Sequence, residues 1–409
     1  MMDWPLMKNS IDEEQKQAMI DFINTTGKFT NGEKVKEFEE KWSEWLGVNY
    51  SVYVNSGGSA NLLLLNAVAE VFFKEEKKKN LHGYGSWKMN QAPRVLVPSC
   101  TRGTTIAPLM QCGYDIEYCD IDLNSYSFLR RDMERIAAGT ERIDVVWITH
   151  LLGSPCNIDL IKEIFPKAMI IEDCCESHGA YWMGQKVGTF GEGSTFSFYF
   201  GHHMTTVEGG IVSTNNKDLY ELMRMKRSHG LARELSPETF DEVKKKYPDL
   251  DERFLFPTAG YNLRNVEINA VIGLKQLEHL DNWIGIRMAN LIIFNKILFD
   301  INKDYGDYFI PPVVQGSSSF ALPFVCKTPE VKEGLEAHLA SNGIETRPFL
   351  VGNILRQPFI NHPKATEFLN AEYLHSNAFC IGNNQYVTNE DMRNLELLIA
   401  EYFTDHVKS

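Results

Sequence analysis

Paired cysteines, long apolar runs and an excess of basic charge are all missing from this sequence, and each shortage excludes something. Its eight cysteines, at 100, 112, 119, 156, 174, 175, 326 and 380, form no CxxC pair and have no histidines at zinc-like intervals, so neither a disulfide framework nor a metal site is expected. They read as small buried hydrophobes in a reducing compartment. No stretch reaches the roughly 18 uncharged apolar residues of a membrane span, and Met1-Met2-Asp3-Trp4-Pro5 lacks the basic and apolar regions of a signal peptide. The expectation is a cytoplasmic protein with no membrane partner. Lysine and arginine number 41 against 54 aspartates and glutamates, a net charge of −13. That balance argues against nucleic acid as a partner, and any bound anion needs local donors.

What is there is an ordinary globular composition, with 409 residues, 44% hydrophobic and 23% charged. Short apolar runs alternate with helix-length segments through the first 215 residues, the pattern of an α/β fold with a largely parallel sheet. Strands are expected at 50–55, 94–98, 116–120, 145–149, 169–172, 195–199 and 210–213, with helices at 60–73 and about 265–280. The charged stretch 74–80 reads as solvated and 81–93 as a surface insertion. A long polar stretch covers 233–253, and from about 285 the pattern suits a smaller α+β unit.

Three segments carry chemistry. Asn55-Ser56-Gly57-Gly58-Ser59-Ala60-Asn61 follows a strand and opens a helix, so it offers backbone N–H groups and a positive dipole end to an anion. It reads equally as a tight turn. Glu172-Asp173-Cys174-Cys175-Glu176-Ser177-His178-Gly179 sets two acids at a strand's C-terminal end, where open α/β sheets bind ligands; helix capping by Asp173 is the alternative. Phe196-Ser197-Phe198-Tyr199-Phe200-Gly201-His202-His203 ends a strand in adjacent histidines. On an extended chain neighbours point to opposite sides, so at most one of them faces a given pocket, and a lone histidine is often structural.

In this order and spacing the three segments resemble the DegT/DnrJ/EryC1/StrS sugar aminotransferase family. Gly32-Glu33-Lys34-Val35-Lys36-Glu37-Phe38-Glu39, Gly260-Tyr261-Asn262-Leu263-Arg264 with Glu267, and Gly343-Ile344-Glu345-Thr346-Arg347-Pro348 extend the likeness over nearly the whole chain. It implies an aspartate aminotransferase-like fold (pyridoxal-phosphate-dependent transferase type I). A large α/β/α domain over 1–262 would hold a mostly parallel mixed sheet, and a smaller α+β domain would cover 263–409. Members of the family place a lysine after the Phe-Ser-Phe strand to hold the cofactor covalently; here that position is His202. The replacement resembles a branch that uses pyridoxamine phosphate, bound non-covalently alongside its pyridoxal form, to remove the C3 hydroxyl of a nucleotide-linked 4-keto-6-deoxy sugar. Iron–sulfur relatives share the histidine, but the cysteines here do not match their cluster.

Position by position, the resemblance implies that Gly58, Ser59 and Ser197 hold the cofactor phosphate, with Asn262 reaching the phosphate of a neighbouring subunit in a homodimer with shared active sites. Asp173 would pair with the pyridine nitrogen, Glu176 would lie near the cofactor hydroxyl, and His202 would be the base. Together, His202, Glu176 and Asp173 form the expected catalytic set. His229, Arg233 and Arg347 are candidate contacts for the nucleotide sugar, Arg347 being readable also as a surface salt-bridge partner. Arg102 stands where the family usually stacks an aromatic residue on the cofactor ring, so it either stacks its guanidinium plane there or meets the substrate. Glutamate is the expected amino donor. The competing readings are an aminotransferase using another lysine, Lys186 being the nearest upstream, and a non-catalytic relative that binds a sugar nucleotide.

Overall fold

A computed structural model describes residues 2–73, 92–139 and 142–407. The expected stretch 74–80 and all but the last two residues of 81–93 lie outside them. In chain order the helices are α1 Glu13–Thr25, α2 Glu33–Leu46, α3 Gly57–Phe72, α4 Gly103–Cys112, α5 Arg130–Gly139, α6 Ile158–Ile164, α7 Lys217–Arg227, α8 Pro237–Lys246, α9 Glu267–Leu277, α10 Leu280–Tyr305, α11 Pro329–Ser341, α12 Leu369–Asn377 and α13 Asn389–Val407. The strands are β1 Tyr50–Val54, β2 Arg94–Pro98, β3 Asp115–Cys119, β4 Val145–Thr149, β5 Met169–Asp173, β6 Tyr181–Trp182, β7 Gln185–Lys186, β8 Gly193–Ser197, β9 Gly210–Thr214, β10 Ala321–Val325, β11 Thr346–Pro348 and β12 Ala378–Gly382. All seven strands expected from the apolar runs are present.

Those seven form one sheet in the order β1-β9-β8-β5-β4-β2-β3. Its five consecutive strands from β8 to β3 run parallel, and β9 lies antiparallel between β8 and β1. Side chains alternate across the sheet as a period of two requires. Val95, Val97, Val145 and Trp147 join the core under α3, α4 and α7, while Leu96, Val146 and Ile148 join the one under α5 and α6. Farther along the second face, Tyr53, Phe196, Phe198 and Ile211 pack on α2, α9 and the start of α10. With both faces covered, the strands are apolar almost throughout, and the layers are α/β/α.

A second sheet, β10-β12-β11, is antiparallel and packs with α10, α11 and α13 around Phe294, Phe324, Leu339, Phe379 and Phe403. Helix α10 serves both cores, with Trp283 and Ile284 in one and Leu291 to Ile301 in the other. The expected division at 262/263 precedes α9, which packs on α1 and α2.

The N-terminal segment straps the two sheets together. Trp4 bridges Ile344 beside β11 and donates its indole N–H to the Gly382 carbonyl at 2.8 Å. Leu6 donates its N–H to Glu345, Met7 packs against Gly201, and the Ser10 carbonyl accepts from Gln276 at 2.7 Å.

Candidate active site

The candidate residues gather where β2, β4, β5 and β8 end. Thr149, Asp173 and Thr195 stand side by side in register across β4, β5 and β8. Asp173 is 2% exposed. Its Oδ2 accepts from the Asn61 amide at 3.1 Å and the Thr105 hydroxyl at 2.9 Å, and its Oδ1 from the Cys175 N–H at 3.1 Å. Helix α3 supplies Asn61 and α4 supplies Thr105, so two helices aim one carboxylate. No helix follows Asp173, because 174–180 is turns; the capping reading is therefore replaced by a carboxylate held at the strand end. Glu172, the other acid, faces away. It accepts the N–H groups of Gly188, Phe190 and Gly191 and contacts His150 at 3.1 Å. His150, Glu172 and Cys174 lie close enough to resemble a metal trio, but His150 Nδ1 accepts the Cys156 N–H and Glu172 is spent on that loop.

Glu176 is buried and held at both oxygens. Oε1 accepts from Arg102 at 2.9 Å and Oε2 from the Leu152 N–H at 3.0 Å. Leu152 adopts φ +51, a left-handed conformation that a branched side chain pays for and that here turns its N–H toward the acid. Arg102 sits at the N-cap position of α4 with its side chain 36% exposed, so one end of the pair is sealed and the other is open.

The turn after β1 and the end of β8 make a cradle. A Cβ on Gly57 would lie 2.6 Å from the Ser197 Cβ, and one on Gly210 would lie 2.3 Å from the Ser56 carbonyl oxygen, so only glycine permits this approach. Ser56 caps α3, accepting the Ser59 N–H at 3.1 Å. The first N–H groups of α3, with Gly58, Ser59 and Ser197, fit a phosphate at a helix N-terminus.

His202 and His203 lie in a turn, not on extended chain, since the His202 N–H donates to the Tyr199 carbonyl at 3.0 Å. The expectation that they face opposite sides is thereby corrected. Both rings pack on Phe320, at 5.1 and 6.0 Å, and both lie near His178, at 6.3 and 5.0 Å. His203 is fully buried and contacts the Ser318 carbonyl at 3.1 Å, whereas His202 keeps 6% exposure. Burial, then the charges of Arg102, His178, Arg347 and Arg287, push His202 well below the usual imidazole range. Burial does the same to His203, and with Arg287 it takes His178 down to about 3. His202 is thus a free base at neutral pH.

This burial has a stability signature. In the unfolded chain the three imidazoles protonate near pH 6.5, and in the folded chain they do not. The contribution of these three rings is therefore complete above about pH 6.5 and falls as pH drops toward the folded values, by up to about 1.4 kcal/mol per pH unit for each ring. Buried His150, which despite its desolvation is raised by Cys174, Cys156 and Glu172, adds a slope of the opposite sign. Urea unfolding at pH 7.5, 6.5 and 5.5 measures the slope, and His178→Phe should flatten it by about one proton's share. An unchanged slope in that variant would show that His178 takes up a proton in the fold.

Arg347, on β11, places its guanidinium 5.1 Å over the Phe320 ring, with Nη2 buried and unpartnered. No ion pair holds it among the described residues, so the salt-bridge alternative is not what the structure shows. His229, Arg233 and Asn262 are exposed. Ser228 bridges Asn262, His229 adopts φ +66, and Arg264 contacts both His229 and Asn262 at 3.2 Å. That loop abuts the cradle through the Asn55 N–H, which donates to the Leu263 carbonyl. Asn61, Thr105, His178, Arg287 and Phe320 were not singled out from sequence. Only Asn61 and His178, inside the quoted turn and acidic segments, had a local signal. All eight cysteines are buried and none is in a disulfide, and burial raises the Cys174 thiol to about 12.

A seven-stranded α/β/α unit with a smaller antiparallel sheet, and candidate residues gathered at the strand ends, is the architecture of vitamin B6-dependent enzymes of the aminotransferase fold. Residues 9–396 match the model of the DegT/DnrJ/EryC1/StrS aminotransferase family, and the chain belongs to that family. It is 33% identical to a GDP-4-keto-6-deoxy-D-mannose 3-dehydratase of Yersinia pseudotuberculosis, over 97% of this chain and 98% of that one. It is also similar to the solved structure of the E. coli enzyme of that name with bound hydrated PLP, with TM-score 0.82 and 30% identity over 98% of this chain and all of that one. A structure of such a 3-dehydratase with a trapped PLP-glutamate geminal diamine has TM-score 0.79 and 30% identity over 97% and 100% of the two chains.

Proposed function

We propose that this chain is a pyridoxamine/pyridoxal phosphate-dependent dehydratase that removes the C3 hydroxyl of a nucleotide-linked 4-keto-6-deoxy sugar. One observation carries the reading: the side chain in the turn that follows β8 is a buried histidine, His202, where transaminases have a lysine. Lys186 does not stand in, because its ammonium donates to the Trp45 carbonyl and lies 4.0 Å over the Trp45 ring. The aminotransferase alternative therefore loses its nearest upstream lysine.

When bound, the cofactor supplies an amino group for the sugar carbonyl and a ring that accepts electrons. Gly58, Ser59 and Ser197 hold its phosphate. Asp173, aimed by its three donors, would hold the proton on the pyridine nitrogen. Glu176 would lie near the cofactor hydroxyl, and Arg102, its ion-pair partner, would stack on the ring or meet the substrate. His202 would be the base that takes the proton from the carbon bearing the cofactor's amino group and would return one to the leaving C3 hydroxyl. Arg347 meets the nucleotide sugar.

Asn262, His229 and Arg233 serve the neighbouring site of a homodimer, as their exposed side chains on a loop beside the cradle favour. The division into units 1–262 and 263–409 and a cytoplasmic location belong to the same reading. Glutamate is the amino donor, in keeping with the glutamate adduct trapped in a relative. Among the described residues no helix is long and apolar enough to cross a membrane.

The test is a spectrum of the protein with pyridoxal phosphate and glutamate, followed by an assay of ammonia and 3-deoxy sugar from GDP- and CDP-linked 4-keto-6-deoxy sugars. Cofactor conversion without turnover of either sugar would leave the non-catalytic, sugar-nucleotide-binding reading. Asn262→Ala should weaken cofactor retention about tenfold or more through lost phosphate contacts; unchanged retention in a dimeric protein would remove Asn262 from the site.

A further inference from the structure

Arg287 is a fully buried arginine on α10 whose guanidinium meets no carboxylate among the described residues. Its donors go instead to three backbone carbonyls from three parts of the chain. Nη1 donates to Asn383, just past β12, and to Phe320, just before β10, at 3.3 Å; Nη2 reaches the His202 carbonyl at 3.4 Å. The arrangement is itself held: Asn383 donates its side-chain amide to the Arg287 carbonyl at 3.0 Å, and Asn290, one turn along α10, donates to the Asn383 side chain at 3.0 Å. A buried charge without a counter-ion is costly, so a role beyond packing is indicated.

We propose that Arg287 is a positioning residue for His202, one guanidinium fixing the His202 turn against the ends of the small sheet. The proposal rests on His202 being the base. The same charge lies beside all three imidazoles, and its neighbours around His202 come from every packed element: Arg102 at the start of α4, His178 after β5, Arg347 on β11, and His203 on the shared turn. Arg287 thus sets the ring's place through its hydrogen bonds and favours the ring's free-base form through its charge.

Two variants separate these effects. Arg287→Lys keeps the charge and loses the planar fork; kcat is expected to fall tenfold or more with KM within about twofold, and the histidine ring signals in NMR should titrate where they do in the parent. Arg287→Met removes the charge; the titration midpoints of His178 and His203, whose largest neighbouring charge it is, should rise, and that of His202 should rise by less, with the acid limb of kcat moving upward with it. A lysine variant with parental kcat, or a methionine variant with unmoved ring titrations, overturns the proposal. If the methionine variant does not fold, the lysine variant still decides it. The ring titrations need no substrate, so a parent without dehydratase activity refutes the functional reading while Arg287's effect on the imidazoles is still measured.

Discussion

His202→Asn is expected to bind the cofactor with parental affinity and to dehydrate the sugar about 10²–10⁴-fold more slowly, the usual worth of a positioned general base. The substitution fills similar space but cannot accept a proton at neutral pH. The cradle at Gly58, Ser59 and Ser197 and the Asp173 network are built without the imidazole, so they should survive. His202→Lys is the companion measurement. A lysine there would link covalently to pyridoxal phosphate, and borohydride should fix the adduct to the chain, whereas the parent's mass should not change. His203→Asn should act on folding instead, because that ring is fully buried against Ser318. A lysine variant that dehydrates like the parent, or a catalytic loss confined to the His203 variant, would displace His202 from the mechanism.

The next largest effect is expected at the Arg102–Glu176 pair. Arg102→Trp restores the aromatic residue the family favours at this place but strips a 3% exposed carboxylate of its counter-charge. Glu176 would keep only the Leu152 N–H, and the cost of an under-satisfied buried acid is about 1–3 kcal/mol. The partly open arginine end argues for less than the full cost of breaking a sealed pair. Adding Glu176→Gln removes the charge and should recover most of that loss, giving a coupling of about 1–2 kcal/mol in a double-mutant cycle. Urea midpoints measure stability and a pyridoxal phosphate titration measures retention. Additive effects of the two substitutions would show that the pair is not energetically coupled.

Much of this was legible because it is local. Apolar runs of four to six residues located the seven strands, and the turn chemistry of Ser56-Gly57-Gly58-Ser59 located the cradle. Asp173 and Glu176 were visible as acids but not as a held pair, since their partners Asn61, Thr105, Arg102 and Leu152 come from other strand–helix units and leave no spacing signal. His202 and His203 misled by adjacency: two neighbours separate only on extended backbone, and the chain turns there. Arg287 gave no signal, because an arginine in an amphipathic helix ordinarily lies on the wet face, and only the fold shows that this one does not.

The strap of residues 2–10 bears on the order in which the molecule assembles. Trp4 leaves the ribosome early, yet its hydrogen-bond acceptor Gly382 follows 378 residues later, roughly 20–80 s at 5–20 residues per second. Through that interval the indole has no native seat, and loop closure over so long a separation comes late in folding. The large sheet can collapse from its own contiguous strands, but the seam beside Gly201 and the small sheet closes only after β12 has emerged. A ribosome stalled before Ala378 should therefore hold a nascent chain with a protected large sheet and a protease-sensitive N-terminus.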